Sequence, residues 1–131
     1  MTPISDLKTL LASLDPHLND GVYVFSSVPY DTDLGKFNVI GTFRENEGST
    51  VILSESDALN ARFLVHFRAA WITLNVNSAL DAVGLTAAIS TALADAGISC
   101  NVVAGAYHDH LFVPVERALD TMALLHRLQK S

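Results

Sequence analysis

One cysteine, Cys100, is all that the 131 residues contain, so no disulfide can form within the chain and a reducing compartment is the expected setting. Basic side chains are also scarce, 8 against 14 acidic ones, which gives a formal net charge of -6. Without a basic patch or arm, no nucleic-acid partner is expected. The same balance disfavours an anionic membrane surface. No run of about 18 consecutive apolar residues occurs, so no membrane-spanning segment is expected. The first fourteen residues place Asp6 before Lys8 and lack a basic n-region, which is not the form of a secretory signal, so a cytoplasmic location is expected. Glycine never clusters: Gly41, Gly84, Gly97 and Gly105 stand alone, which excludes a phosphate-cradling or dinucleotide loop. No nucleophile-elbow sequence is present either. What remains is a chain that is half apolar and only 17% charged. A chain this long buries roughly two-thirds of its unfolded surface and needs neither disulfide nor metal to fold. Its apolar content argues against disorder and leaves surface for another subunit to cover.

Periodicity divides the chain. A helix is predicted from Ser5, with Leu7, Leu10, Leu11 and Leu14 along one face and Asp15-Pro16 ending it. Asn19-Asp20-Gly21 turns into a strand at Val22-Tyr23-Val24-Phe25, and residues 29–36 read as a polar loop. Residues 37–43 and 50–53 read as a hairpin around Gly48, and Ser54 with Asp57 caps a short helix that ends near Asn60. Residues 63–76 are strand, either one long bent strand or two. Ile72, Leu74 and Val76 face the core, and Trp71, Thr73 and Asn75 face away. Leu85, Ala88, Ile89, Ala92, Leu93 and Ala96 recur at the helical period, with Gly97 as the stop. Strands at 98–103 and 107–113 follow. Pro114 then admits a last helix bearing Leu119, Met122, Leu125 and Leu128, with Arg127 and Lys130 near its end. This order gives an α/β sandwich with helices on one face of a mainly antiparallel sheet. One internal echo joins VILSESDALN at 51–60 to LFVPVERALD at 111–120, an apolar strand running straight into a helix each time. It implies two related half-units of about sixty residues, the first degenerate.

Few residues invite chemistry. His108 and His110 in a strand would point to one side, and with His66 they could hold a zinc ion in a small metal-dependent enzyme. No cysteine or acidic ligand stands at a matching spacing, so a hydrogen-bonding or pocket-lining role explains these histidines better. Cys100 inside a strand reads as a small hydrophobe. Glu45 and Glu47 sit in a hairpin turn, where solvent exposure accounts for them. Between Asn75 and Leu85 a strand ends and a helix begins. Backbone N–H groups at such a start attract a carboxylate, and Gly84 admits a close approach, whether of a ligand or of a neighbouring chain. An ordinary capped connection, with Asp81 serving the helix end, is the other reading of the same residues.

The run from Trp71 to Val76, Ala82-Val83-Gly84-Leu85, Leu93-Ala94-Asp95-Ala96-Gly97-Ile98-Ser99 and Tyr107-His108-Asp109-His110-Leu111-Phe112-Val113-Pro114 together resemble an ACT domain. The N-terminal part, from Leu7-Lys8-Thr9-Leu10-Leu11 to Tyr23-Val24-Phe25, is similar to that of small stand-alone bacterial ACT proteins, and the chain is more distantly similar to ACT-type arginine sensors. The resemblance implies a ferredoxin-like βαββαβ sandwich over residues 63–131, preceded by a degenerate ACT-like half over 1–62. It implies a non-catalytic regulatory or sensor protein, homodimeric, without cofactor or metal, that binds an amino acid or similar small zwitterion in the groove between modules. The binding positions carried over are Asn77, Val83, Gly84 and Leu85 before and at the helix, and Asn101, Val102, Val103, Tyr107 and Asp109 on the facing strands. Asp81 or Asp109 would meet the amine. This sequence departs from many family members in having Ala82-Val83 where they carry an acidic residue and a proline. That loss favours the alternative of an interaction module with a vestigial groove and a protein partner of its own.

Overall fold

A computed structural model describes residues 6–76 and 79–130. The chain forms two compact units: residues up to Asp20 together with those from Ala70 onward make a split unit, and Gly21–Ala69 make an inserted one. Packing groups the first twenty residues with the C-terminal part. The packing units and the sequence halves 1–62 and 63–131 are therefore different divisions of the chain.

In the split unit, α1 (Leu7–Ala12) starts at Asp6, whose carboxylate accepts from the Thr9 amide at 3.0 Å and the Thr9 hydroxyl at 2.8 Å. Asp6 and not Ser5 is thus the cap; Ser5 lies outside the described residues. Leu10 and Leu14 are fully buried, which fixes the helix on the core. Asp15 takes a positive φ of 44°, and Pro16 opens β1 (Pro16–Leu18). This strand was not expected. Three residues led by a proline show no alternation to read, and proline is tolerated as the first residue of a strand. It pairs antiparallel with the end of β5 (Leu64–Leu74), His17 opposite Thr73. β5 is one eleven-residue strand; its first part belongs to the inserted unit and its last to the split unit. Beside it lie β7 (Asp109–Pro114) and then β6 (Asn101–Ala104).

Between these strands runs α3 (Leu85–Asp95), burying Leu85, Ile89 and Leu93 as the period required. Gly97, at φ +73°, follows its last turn, and Ile98 donates back to the Leu93 carbonyl at 2.9 Å. That closure uses residues 97–98 for the helix end, so β6 begins three residues later than the expected strand at 98. Likewise β7 begins at Asp109 and not at 107, because the Gly105 amide bonded to the His108 carbonyl at 2.9 Å closes the hairpin there. After β7 a single 3-10 turn, Val115–Arg117, precedes α4 (Ala118–Lys130). The tighter turn shifts the phase of the helix. Leu119, expected in the core, is 78% exposed, while Thr121, Leu124 and Leu125 are buried. Arg117 reaches across to α3, donating to the Ala96 and Gly97 carbonyls at 3.3 Å each, and so satisfies a helix end that has no other basic residue. Leu10, Leu14, Ile72, Leu74, Ile89, Leu93, Leu111, Val113 and Leu125 form one core on a single face of the sheet, under all three helices.

The inserted unit pairs β3 (Val39–Glu45), β4 (Gly48–Ser54), β2 (Tyr23–Val28) and the first part of β5 in that order, all antiparallel. Gly48 opens β4 at φ +150°, where a Cβ would lie 2.6 Å from the Val28 carbonyl oxygen, so only glycine fits. The expected strand at 37–43 sits two residues later. Phe37 is left in the loop, where its ring meets Phe63 edge-on at 5.5 Å. The last residue of β4, Ser54, caps α2 (Glu55–Asn60), its hydroxyl accepting from the Asp57 amide at 3.3 Å. Glu55 in the first turn is clamped by Arg68 of β5. Residues 29–38 carry neither helix nor strand, so this unit has one helix over its small core of Val24, Val28, Val51, Leu53 and Ala58.

Candidate functional site

The expected carboxylate end lies at the start of α3. Gly84 is its N-cap residue, left-handed at φ +103°, and no side chain caps the helix. Asp81 therefore does not serve the helix end; it is exposed, as is Val83 at 84%. Leu85 is buried and holds the first turn on the core. The close approach that glycine permits is made by the chain itself: a Cβ on Gly84 would lie 3.2 Å from a methyl of Leu7 in α1. Asn77 lies outside the described residues.

The strand residues do not share one surface. Register sets Val103 opposite His110 and Asn101 opposite Phe112, and partners in an antiparallel pair point to the same face. Asn101 and Val103 thus stand on the face turned away from the helices. Val102 packs against the core, and Asp109, two residues from Leu111, shares that helix-side face. Asp109 is buried and partnered, which makes it a poor receiver for a ligand amine. Tyr107, in the hairpin connection, is 77% exposed.

On the outer face the structure joins residues that no spacing connected. The indole Nε1 of Trp71 donates to His110 Nδ1 at 3.0 Å. An indole nitrogen is a donor only, so Nδ1 is the acceptor and the imidazole proton sits on Nε2. Thr73 Oγ1 lies 3.2 Å from the same Nδ1 and itself accepts from Asn19 Nδ2 at 3.0 Å, which leaves the hydroxyl proton to aim at the ring. Asn19 is held by two bonds to the Trp71 carbonyl, at 2.9 and 3.1 Å. Trp71 is also stacked on Phe112, ring centroids 6.3 Å apart. Burial, helped by the neighbouring His108, pushes the His110 pKa below its ordinary value, with Asp109 opposing. A sequence signal for this network existed: a lone tryptophan in a strand, facing off the core, needs an acceptor.

The same chemistry weighs against a zinc site. His110 has one nitrogen engaged as acceptor and the other protonated, so neither lone pair is free for a metal. His108 precedes β7 and does not lie in a strand, and His66 Nε2 is 2.8 Å from Ser27 Oγ in the inserted unit. Among the described residues no group of three or more His, Cys, Asp or Glu is placed to hold a metal ion. Burial raises the Cys100 thiol to about 11, which keeps it protonated and unreactive. A cleft of about 590 Å³ lies in the inserted unit between Ser27, Glu45, Glu47, Thr50 and His66, and none of the expected ligand residues lines it.

Two ACT-domain family profiles match this chain, one over residues 2–70 and the other over 67–127. The chain belongs to the ACT-domain family, and its fold is a ferredoxin-like α/β arrangement repeated in tandem. A crystal structure from Vibrio cholerae, described as a protein of unknown function and possible transport protein, is 43% identical, with a TM-score of 0.83 over 94% of this chain and 95% of that one. The fold is shared at lower identity. The protein Atu0741 from Agrobacterium tumefaciens is 19% identical, with a TM-score of 0.67 over 87% of each chain. The ligand-free regulatory subunit of aspartate kinase from Thermus thermophilus is 10% identical, with a TM-score of 0.66 over 89% of this chain and 97% of that one. No curated protein matches the chain. No helix among the described residues is long and apolar enough to cross a membrane.

Proposed function

We propose that this is a non-catalytic regulatory or sensor protein that binds an amino acid or similar small zwitterion, acting in the cytoplasm as a homodimer built from the ACT-like halves 1–62 and 63–131. The observation that carries the reading is the start of α3. Gly84 opens the helix without a side-chain cap, so the first-turn N–H groups are left for an outside acceptor. A ligand carboxylate takes those groups. Asp81, exposed three residues earlier, takes the ammonium; the burial of Asp109 removes the other candidate. Val83, Leu85 and Tyr107 border the ligand, with Val102 contributing from the helix-side face of its strand, while Asn101 and Val103 point to the opposite face and take no part. Leu7, packed over Gly84, must shift to admit it. Occupancy then biases the packing of α1, and a partner reads that change through the differential affinity of its two states.

A thermal-shift screen against the twenty amino acids tests this. Ligand at about a hundred times its Kd adds roughly 2.7 kcal/mol, a shift of several degrees. The methyl ester of the active amino acid should lose that shift, and Asp81→Asn should weaken it. Substituting Gly84 is the poorer probe, because φ +103° and the 3.2 Å contact with Leu7 strain any side chain there. No shift with any amino acid would sink the reading. It would turn attention to an interaction module, which the exposed Leu80, Val83, Tyr107 and Leu119 favour.

A further inference from the structure

His110 carries a hydrogen-bond donor that the fold does not use. Its Nδ1 is occupied by Trp71 and Thr73, and among the described residues its Nε2 has no partner. Three strands cooperate to set this proton: Asn19, just past β1, orients Thr73, and Thr73 and Trp71 of β5 orient the ring on β7. The imidazole is half-buried and neutral, and it cannot flip without breaking the Trp71 bond. Gly105 keeps the space beside the proton clear, since a Cβ there would lie 3.5 Å from Nε2. Around it stand Asn101 and Val103, exposed on the same face of β6 and diagonal to or opposite His110 in the ladder. Neither Lys, Arg, Asp nor Glu occurs among the residues of this face, which are His17, Trp71, Thr73, Asn101, Val103, His110 and Phe112.

We propose that this outer face of the split unit is a second binding site, with His110 as its ligand-contacting residue, and that it takes an uncharged carboxamide with an apolar body. A fixed neutral N–H donor suits a carbonyl oxygen. A carboxylate would be desolvated there without a cation to meet it. The Asn101 amide supplies the complementary acceptor for the ligand N–H. Diagonal ladder neighbours lie about 7–8 Å apart, within reach of each other's longer side chains, so the donor of His110 and the acceptor of Asn101 serve the same side of one carboxamide-sized ligand. Val103 and the indole of Trp71 offer the apolar floor. The site is independent of the amino-acid reading at α3, which lies on the helix side of the sheet.

The test uses the whole protein and two matched probes, benzamide and benzoate. Trp71 is the only tryptophan, so its emission reports on this face alone. Imidazole ¹⁵N spectra identify which nitrogen of His110 carries the proton. The expected result is an Nε2–H tautomer, a saturable change in Trp71 emission with benzamide, a shift of the His110 Nε2–H signal on binding, and at least tenfold weaker binding of benzoate. His110→Phe should abolish the response. Thr73→Val, which frees the ring without touching the ligand, should weaken binding and release the tautomer preference. An Nδ1–H tautomer in the free protein overturns the proposal whatever else binds. So does an absent benzamide response, or equal binding of benzoate. Stabilisation by an amino acid that leaves Trp71 and His110 silent would sustain the site at α3, and an absent benzamide response beside it would overturn this site alone.

Discussion

The split and inserted units solve the same packing problem with unequal means. Each sends a sheet strand directly into a helix, β4 into α2 and β7 through a 3-10 turn into α4. Each also needs a connection from a strand into the hairpin that follows it. In the split unit α3, with three buried anchors, joins β5 to β6; in the inserted unit residues 29–38, with no helix at all, join β2 to β3. Among the described residues fourteen buried ones form the first core and five the second, so the inserted unit leans on hydrogen bonds, caps and two aromatic pairs for what the other gains from burial. The lesson concerns where each unit is fragile. Loss of apolar volume should hurt the split unit most, and loss of backbone fit should hurt the inserted one.

The largest effect separates the cores. Leu93→Ala removes a fully buried side chain beneath α3 and should cost about 2–5 kcal/mol. Val51→Ala, equally buried in the smaller core, deletes two methyl groups at about 0.8 kcal/mol each before any cavity cost. Urea melts of both variants measure the difference, and equal losses would break the comparison. Next comes backbone fit. Gly48→Ala places a Cβ 2.6 Å from the Val28 carbonyl oxygen, whereas at Gly97 nothing lies within 4 Å and only the φ of +73° is strained. The first should cost roughly 2–3 kcal/mol and the second about 1 kcal/mol. The reverse order would show that the hairpin can shift to accommodate the methyl group.

How legible these features were follows from how local their causes are. The period of Leu85, Ile89 and Leu93 and the stop at Gly97 announced α3, because a helix writes its buried face at fixed spacing. The inward set Ile72, Leu74 and Val76 was legible for the same reason, with period two. β1 was not: its three residues are a strand only because the end of β5 lies beside them. Leu119 was misplaced because one 3-10 turn, invisible in an apolar pattern, rotated the helix that follows. At the candidate sites, Gly84 was readable as the start of a helix, with a cap from Asp81 left open, but its cover by Leu7 joins positions 77 residues apart. The His110 network gathers residues 19, 71, 73 and 110 from separate strands, and no linear spacing encodes it.

The two units should also part in their response to acid. The folded pKa of His110 lies below 6.5, so folding favours its neutral form. Its contribution is fully present above the unfolded value near 6.5 and is lost as pH falls from there toward the folded value. His108, just before β7, and Asp109 on it are the neighbouring titratable groups along the chain; Trp71 and Thr73 on β5 and Val103 on β6 bring no charge. In the inserted unit the Arg68 hydrogen bond holds the Glu55 carboxyl below its ordinary 4.5. Its contribution is present above that value and is lost only at lower pH. Thermal melts at half-unit steps from pH 8 to 3 should therefore lose stability in two windows. His110→Gln should flatten the upper one and Glu55→Gln the lower one. A single window untouched by His110→Gln would remove the distinction.

The smallest effect has the opposite sign. Ser26 is wholly buried on β2 between Val24 and Val28, facing the inserted unit's core, and among the described residues its hydroxyl has no hydrogen-bond partner. Its ladder neighbours are Val51 and Val65, so an apolar side chain is what the site would otherwise hold. An unmet buried hydroxyl costs on the order of 1–3 kcal/mol, while the methyl that replaces it in alanine loses almost no volume. Ser26→Ala should therefore stabilise the protein by up to about 1 kcal/mol, read as a rise in the urea midpoint at unchanged slope. A loss of stability would mean that the hydroxyl is satisfied by a buried water, and the inserted unit would then gain from polar contacts even inside its core. A gain would mark this unit as the one that still carries an uncompensated polar group, as expected where the apolar cluster is small and small effects decide the balance.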